Sequence, residues 1–238
     1  MNTRSILSKR ISFCSNIRTK KYRSITLFEA LNSIRTNVYY TQIKNIRKFL
    51  STGNIKSYRA KKKQLPAFIF AGIAYGNRYK FDLSGYTHLL IIDIDKLENP
   101  ELIKSLLVSE VHVLAVWASP SGDGLKALFY IEFEENTKPE DIWILHEYCA
   151  FPQICAYLLE KYDIQVDKSG ADINRLCFVS ADSNIHLKKE FEPYRVHTTL
   201  TNNQIRRIRA QYYNSSTDIR KSVAEMKRIS KLLNSETQ

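Results

Sequence analysis

Leu89-Leu90-Ile91-Ile92-Asp93-Ile94-Asp95 is an apolar run that ends in two carboxylates spaced two residues apart. Its length and β-branched content read as a buried strand. Residues i and i+2 of a strand share a face, so Asp93 and Asp95 project together while Ile92 and Ile94 pack on the other side. Like charges held that close and half-withdrawn from water repel, and at least one pKa rises unless a cation answers them. A hard divalent metal is the simplest answer. The plainer alternative is a strand that leaves the core through a polar turn.

Outward from this strand, Asn99-Pro100 offers an N-cap followed by proline at the first helical position, opening a helix to about Ser109. Val111 to Ala118 is a second β-branched strand, so 88–118 reads as a β-α-β unit with parallel strands. Ser119 to Gly124 is a turn and Leu125 to Phe133 another strand. Helices are expected over Glu140 to Ala150 and Gln153 to Tyr162, broken near Pro152, and a short last strand over Arg175 to Ser180. Upstream, Ala67 to Gly72 is a strand. A Ser-rich lead-in to Thr26 precedes two helical patterns, Leu27, Ala30, Leu31, Ile34 and then Ile43, Ile46, Phe49, Leu50, followed by a basic turn or helix over Ile55 to Lys63. Beyond Asn202, apolar residues at Ile205, Ile208, Tyr212, Ile219, Val223, Met226, Ile229 and Leu233 among many basic ones predict one or two amphipathic helices. The class is α+β with a mixed sheet. Its parts are a basic helical region packed on the core (1–64), the core itself (65–197) and basic C-terminal helices (198–238).

The 238 residues suffice for one large domain, and 44% hydrophobic content marks a folded chain. The net charge of +12 is uneven: residues 1–64 carry 16 Lys/Arg against Glu29 alone, residues 201–238 carry +5, and the middle is left at −8. An acidic middle between basic ends pairs a site for cations with a surface for polyanions. Cys14, Cys149, Cys155 and Cys177 form no C-x-x-C pair and read as reduced thiols of a cytoplasmic protein. The five histidines lack zinc-ligand spacing. No apolar stretch is long enough to span a membrane, and the basic N-terminal character continues well past the length of a targeting peptide.

Two further segments bear on chemistry. Small residues in Ser119-Pro120-Ser121-Gly122-Asp123-Gly124 can turn backbone N–H groups outward as an anion nest; an ordinary Asp-Gly hairpin fits equally. Lys126 follows among apolar neighbours and is expected to face water or a phosphate, since burial without a partner is costly. In the polar segment around Asp167, Asp172 and Arg175 suit a local ion pair. If Asp167 approaches Asp93 and Asp95, the three carboxylates form a set able to hold two divalent metals for phosphoryl transfer.

Four blocks in order, Lys62 to Gly72, Leu90 to Asp95, Ser119 to Lys126, and Val166-Asp167 with Asp172 and Asn174 to Asp182, resemble the VirE N-terminal-type domain of bacterial mobile elements. The resemblance covers roughly residues 25–195. That domain looks like a member of the archaeo-eukaryotic primase, or primase-polymerase, superfamily, in which an α/β unit and a unit related to the RNA-recognition fold flank the site. The resemblance implies metal binding (Mg²⁺ or Mn²⁺) and catalysis at Asp93, Asp95 and Asp167. It implies nucleotide phosphates on Ser119, Ser121, Gly122, Gly124 and Lys126, with Arg175 adding a charge-assisted contact. Active superfamily members usually carry a histidine where this chain has Lys126. The activity that the resemblance implies is two-metal nucleotidyl transfer on a single-stranded template, with nucleoside triphosphates, single-stranded DNA and a replicative helicase encoded nearby as the expected partners. Arg47, Lys48, Lys61, Lys62, Lys63, Arg206, Arg207 and Arg209 are the residues expected to hold the template. The alternatives are a catalytically inactive primase-derived binding module and a metal-dependent nuclease.

Overall fold

The computed structural model describes residues 2–19, 21–74, 81–82, 85–167 and 170–214. Thr3–Leu7 (α1), Arg10–Cys14 (β1) and Arg23–Thr26 (β2) come first, so the lead-in expected to be irregular carries a helix and two strands. The N-terminal region is therefore not helical throughout: Ile11 and Phe13 turn inward from β1, and their burial in a sheet outweighs the Arg and Ser content of the segment. Leu27–Arg35 (α2) opens on a capping box in which Thr26 and Glu29 satisfy each other's backbone amides. Tyr40–Ser51 (α3) and Ile55–Lys62 (α4) follow. Gly53 joins them at φ 71°, with the Gly53 amide donating to Leu50 O (3.0 Å) and the Asn54 amide to Phe49 O (2.8 Å). This is a Schellman ending that needs a residue tolerant of positive φ. Asn54 then caps α4 by accepting from the Ser57 amide.

Ala67–Ile69 (β3), Ile73–Ala74 (β4) and Phe81–Asp82 (β5) precede Leu89–Ile94 (β6), Pro100–Ser109 (α5), Val113–Ala118 (β7) and Leu125–Glu132 (β8). Asn99 caps α5 as expected, accepting from the Leu102 amide at 3.1 Å. Next come Ile142–Leu145 (α6), a π-helical turn over His146–Ala150, and Phe151–Tyr162 (α7). Pro152 thus does not break the helix. The wide π turn removes the need for its missing amide and carries the chain through. Cys177–Phe178 (β9), His186–Leu187 (β10), Tyr194–Arg195 (β11) and Asn202–Asn214 (α8) complete the order.

Two predominantly antiparallel sheets result. One has the order β2-β1-β3-β9. In the other, β8 is antiparallel to β7 on one side and to β6 on the other, β10 lies outside β7, and β11 adds a short parallel pairing to the end of β8; β4 and β5 form a separate ribbon. Residues 88–118 are therefore a split β-α-β unit: β6 and β7 run parallel, as expected, but β8 is inserted between them. The core joins both sheets to α2 and α3 through Phe68, Phe70, Trp117, Leu31 and Ile43, among others.

The chain divides into two units, Met1–Val196 and His197–Gln238. Within the second, α8 covers the first part of the expected amphipathic stretch. Ile219, Val223, Met226, Ile229 and Leu233 lie outside the described residues. Among the described residues no helix is long and apolar enough to cross a membrane.

Candidate active site

The register of β6 and β8 sets Asp93 directly opposite Lys126, and β7 sets Trp117 opposite Lys126 on its other side. Lys126 is only 5% exposed, and its Nζ donates to Asp93 Oδ2 at 2.6 Å. Lys126 does not face open water, one of the two alternatives expected of it; it lines the carboxylate cavity with its ammonium paired to Asp93. A cross-strand carboxylate supplies the partner that makes its burial tolerable. Burial works against the ammonium, but the neighbouring Cys177 and Asp93 outweigh it, and the Lys126 pKa stands above the usual lysine value. Among the described residues two buried side-chain polar atoms lack a hydrogen-bond partner, Asp93 Oδ1 and Trp117 Nε1, both on cross-strand neighbours of Lys126.

The third carboxylate comes to the same place by a main-chain contact: the Asp167 amide donates to the Asp93 carbonyl at 2.9 Å. Arg175 Nη2 lies 3.7 Å from Asp167 Oδ2, while the Arg175 amide donates to the Asp172 carbonyl at 2.9 Å. The side-chain pair expected between Asp172 and Arg175 is thus replaced by a backbone brace, which leaves the guanidinium directed at Asp167. Asp93, Asp95 and Asp167 line one cavity of about 280 Å³ together with Lys62, Lys126 and Arg175. Ile17, Leu176 and Phe178 supply its apolar wall. Partial desolvation, and then the negative charge of Asp93, raise the Asp95 pKa above the usual carboxylate range.

The turn after β7 is folded onto itself. The Ser119 amide donates to Gly124 O (2.8 Å), the Gly122 amide to Ser119 O (3.1 Å), and the Ser119 and Ser121 hydroxyls bond each other at 2.7 Å. Arg47 donates from α3 to the carbonyls of Pro120 (3.1 Å) and Ser119 (3.2 Å). The amides of Ser119 and Gly122 are therefore spent inside the loop, and carbonyls receive a cation where an anion nest was expected. None of Ser119, Ser121, Gly122 or Gly124 lines the carboxylate cavity. Gly124 still matters to it: a Cβ there would sit 2.5 Å from Ile94 O and 3.2 Å from Asp95 Cα, so only glycine lets the loop lie against the end of β6.

The basic residues separate. Arg47 is taken up by the loop. Lys62 enters the carboxylate cavity, with its Nζ 5.6 Å from the Tyr58 ring centroid and 5.9 Å from that of Phe178. Lys48, Lys61 and Lys63 are exposed, as are Arg206 and Arg207 on α8, while the side chain of Arg209 lies outside the described residues. Sequence reasoning placed Lys62 on the polyanion surface with its neighbours. The signal against that was present: Tyr58, the buried residue of α4, is four residues earlier and so on the same helical face.

The donor set suits a divalent ion in one respect that the structure itself provides, the buried and unpartnered Asp93 Oδ1 beside Asp95. No three His, Cys, Asp or Glu side chains among the described residues converge as a cage. Mg²⁺ does not ask for one, because it is commonly held by one or two carboxylates with water and substrate phosphate completing its shell. The residues therefore fit, with Asp93 and Asp95 as ligands and Asp167 adjacent.

No curated protein and no solved structure matches the chain. Residues 60–186, which include every residue lining the cavity except Ile17, match the family described as BT4734-like, N-terminal domain.

Proposed function

We propose, from the premise that this chain belongs to the BT4734-like N-terminal domain family, that it is a primase-like nucleotidyl-transfer protein acting on a single-stranded template, of the kind carried by mobile elements. The observation that carries the reading is the convergence of three carboxylates with Lys62 and Arg175 on one cavity. The split β-α-β unit also supports it, since that arrangement is the first half of an RNA-recognition-type fold.

In the proposed reaction the 3′-hydroxyl oxygen of a primer bonds to the α-phosphorus of a nucleoside triphosphate. The bond to pyrophosphate breaks, and the hydroxyl proton passes to solvent. Asp93 and Asp95 would hold Mg²⁺ or Mn²⁺, which when bound favours ionisation of the hydroxyl and offsets charge on the leaving group. Lys126 fixes the Asp93 carboxylate from beneath. Arg175 meets the phosphate oxygens, as the resemblance implies, and Lys62 joins it in the part expected of Lys126.

The test is incorporation of labelled nucleotides on primed and unprimed single strands with Mg²⁺ or Mn²⁺, beside Asp93→Asn/Asp95→Asn. Product from the wild type and at least a hundredfold less from the variant is expected, about 3 kcal/mol in barrier. Equal product from both proteins sinks the mechanism. One observation favours a second reading, a primase-derived binding module: the Lys126 ammonium already neutralises Asp93. Strand binding by the wild type without incorporation would select it.

A further inference from the structure

Helices α3 and α4 enclose a second cleft, of about 620 Å³, lined by Gln42, Asn45, Lys48, Phe49, Lys61 and Gln64 among others. Gln42, Asn45 and Phe49 recur at i, i+3 and i+7, so they share a face of α3, and Arg47 projects from a different one. None of the five polar side chains makes a hydrogen bond or ion pair within the protein among the described residues, and all five are exposed. Phe49 is partly buried against the core, which fixes the ring at the cleft wall. The segment that forms the cleft is uniformly positive: residues 37–66 contain eight Lys/Arg and no Asp or Glu. A wall with one fixed aromatic ring, amides free to donate and accept, and lysines free to pair anions has the composition of a site for a base and its flanking phosphates.

We propose that this cleft binds single-stranded nucleic acid, with a base stacked on Phe49, its edge met by Gln42, Asn45 or Gln64, and the adjoining phosphates paired with Lys48 and Lys61. The assignment rests on the nucleic-acid reading above but on none of its chemistry, and the cleft is separate from the carboxylate cavity. Arg47, on the intervening face of α3, ties the helix that forms the cleft to the loop beside Asp95.

The test is fluorescence anisotropy of a labelled thymidine oligonucleotide of about 15 nucleotides, a length suited to one such module. The proteins are wild type, Lys48→Ala/Lys61→Ala, Phe49→Leu, and the exposed pair Lys138→Ala/Lys189→Ala, which removes the same charge elsewhere. Leucine keeps apolar packing while removing the aromatic face. Weakening of about tenfold for the lysine pair and about fivefold for Phe49→Leu is expected, with little change in the control pair. Cleft variants that bind like the control pair overturn the cleft and leave the proposed function standing, since the strand would then be held elsewhere. A wild type that fails to bind at low salt overturns both.

Discussion

A lysine ammonium held between two strands persists there only with a fixed counter-charge, and Asp93 is that counter-charge for Lys126. Removing one member of a buried pair leaves the other uncompensated. Lys126→Ala is therefore expected to lower stability by about 3–5 kcal/mol, read as a fall in the urea midpoint. Unchanged midpoints would show that the carboxylate is adequately solvated without it. The two residues were visible in the sequence, but their pairing was not. It depends on β8 inserting between β6 and β7, a register that no local pattern specifies. Lys126 was consequently expected to point outward, and Lys62, which does reach the carboxylates, was grouped with its exposed neighbours.

At the level of elements, the π turn leaves Glu147 half-buried, where its Oε1 accepts from the Ile173 amide at 3.1 Å. Burial pushes the Glu147 carboxyl up to about 8 from an ordinary 4.5. The folded protein then holds a proton that the unfolded chain has released, so this group's contribution is complete below the ordinary value and is lost as pH rises through about 8. Glu147→Gln should remove that decline while keeping the acceptor for Ile173, giving a variant that is more stable than wild type at pH above 8. Urea titrations between the two pKa values check this, and parallel slopes for the two proteins would refute it. Proline spacing alone suggested a break at Pro152, because whether a helix absorbs a proline through a π turn is settled by packing beyond it. A capping signal fared better: Asn99-Pro100 marks a helix start where the structure has one.

For the whole molecule, separation of charge is the dominant feature: a basic N-terminal region that joins the acidic core in one unit. Strand binding that uses this region releases counterions, so log affinity should fall linearly with log salt, by about 0.7 for each phosphate neutralised. Anisotropy across a salt series measures the slope, and a flat dependence would mean that the basic face is not the binding surface. The order of core strands and helices was largely legible because each has its own periodicity. The strands β1 and β2 were not: they pair with each other locally, but β1 is also held by β3, more than fifty residues away, a pairing that no local pattern specifies.

The contact from the Asp167 amide to the Asp93 carbonyl involves no side chain. Any residue but proline can therefore stand at 167 and keep the two segments tied, so charge at this corner is separable from architecture. A lineage of such chains could shed or regain an acid here in one step without refolding, and an experimenter can erase the charge while leaving the scaffold intact.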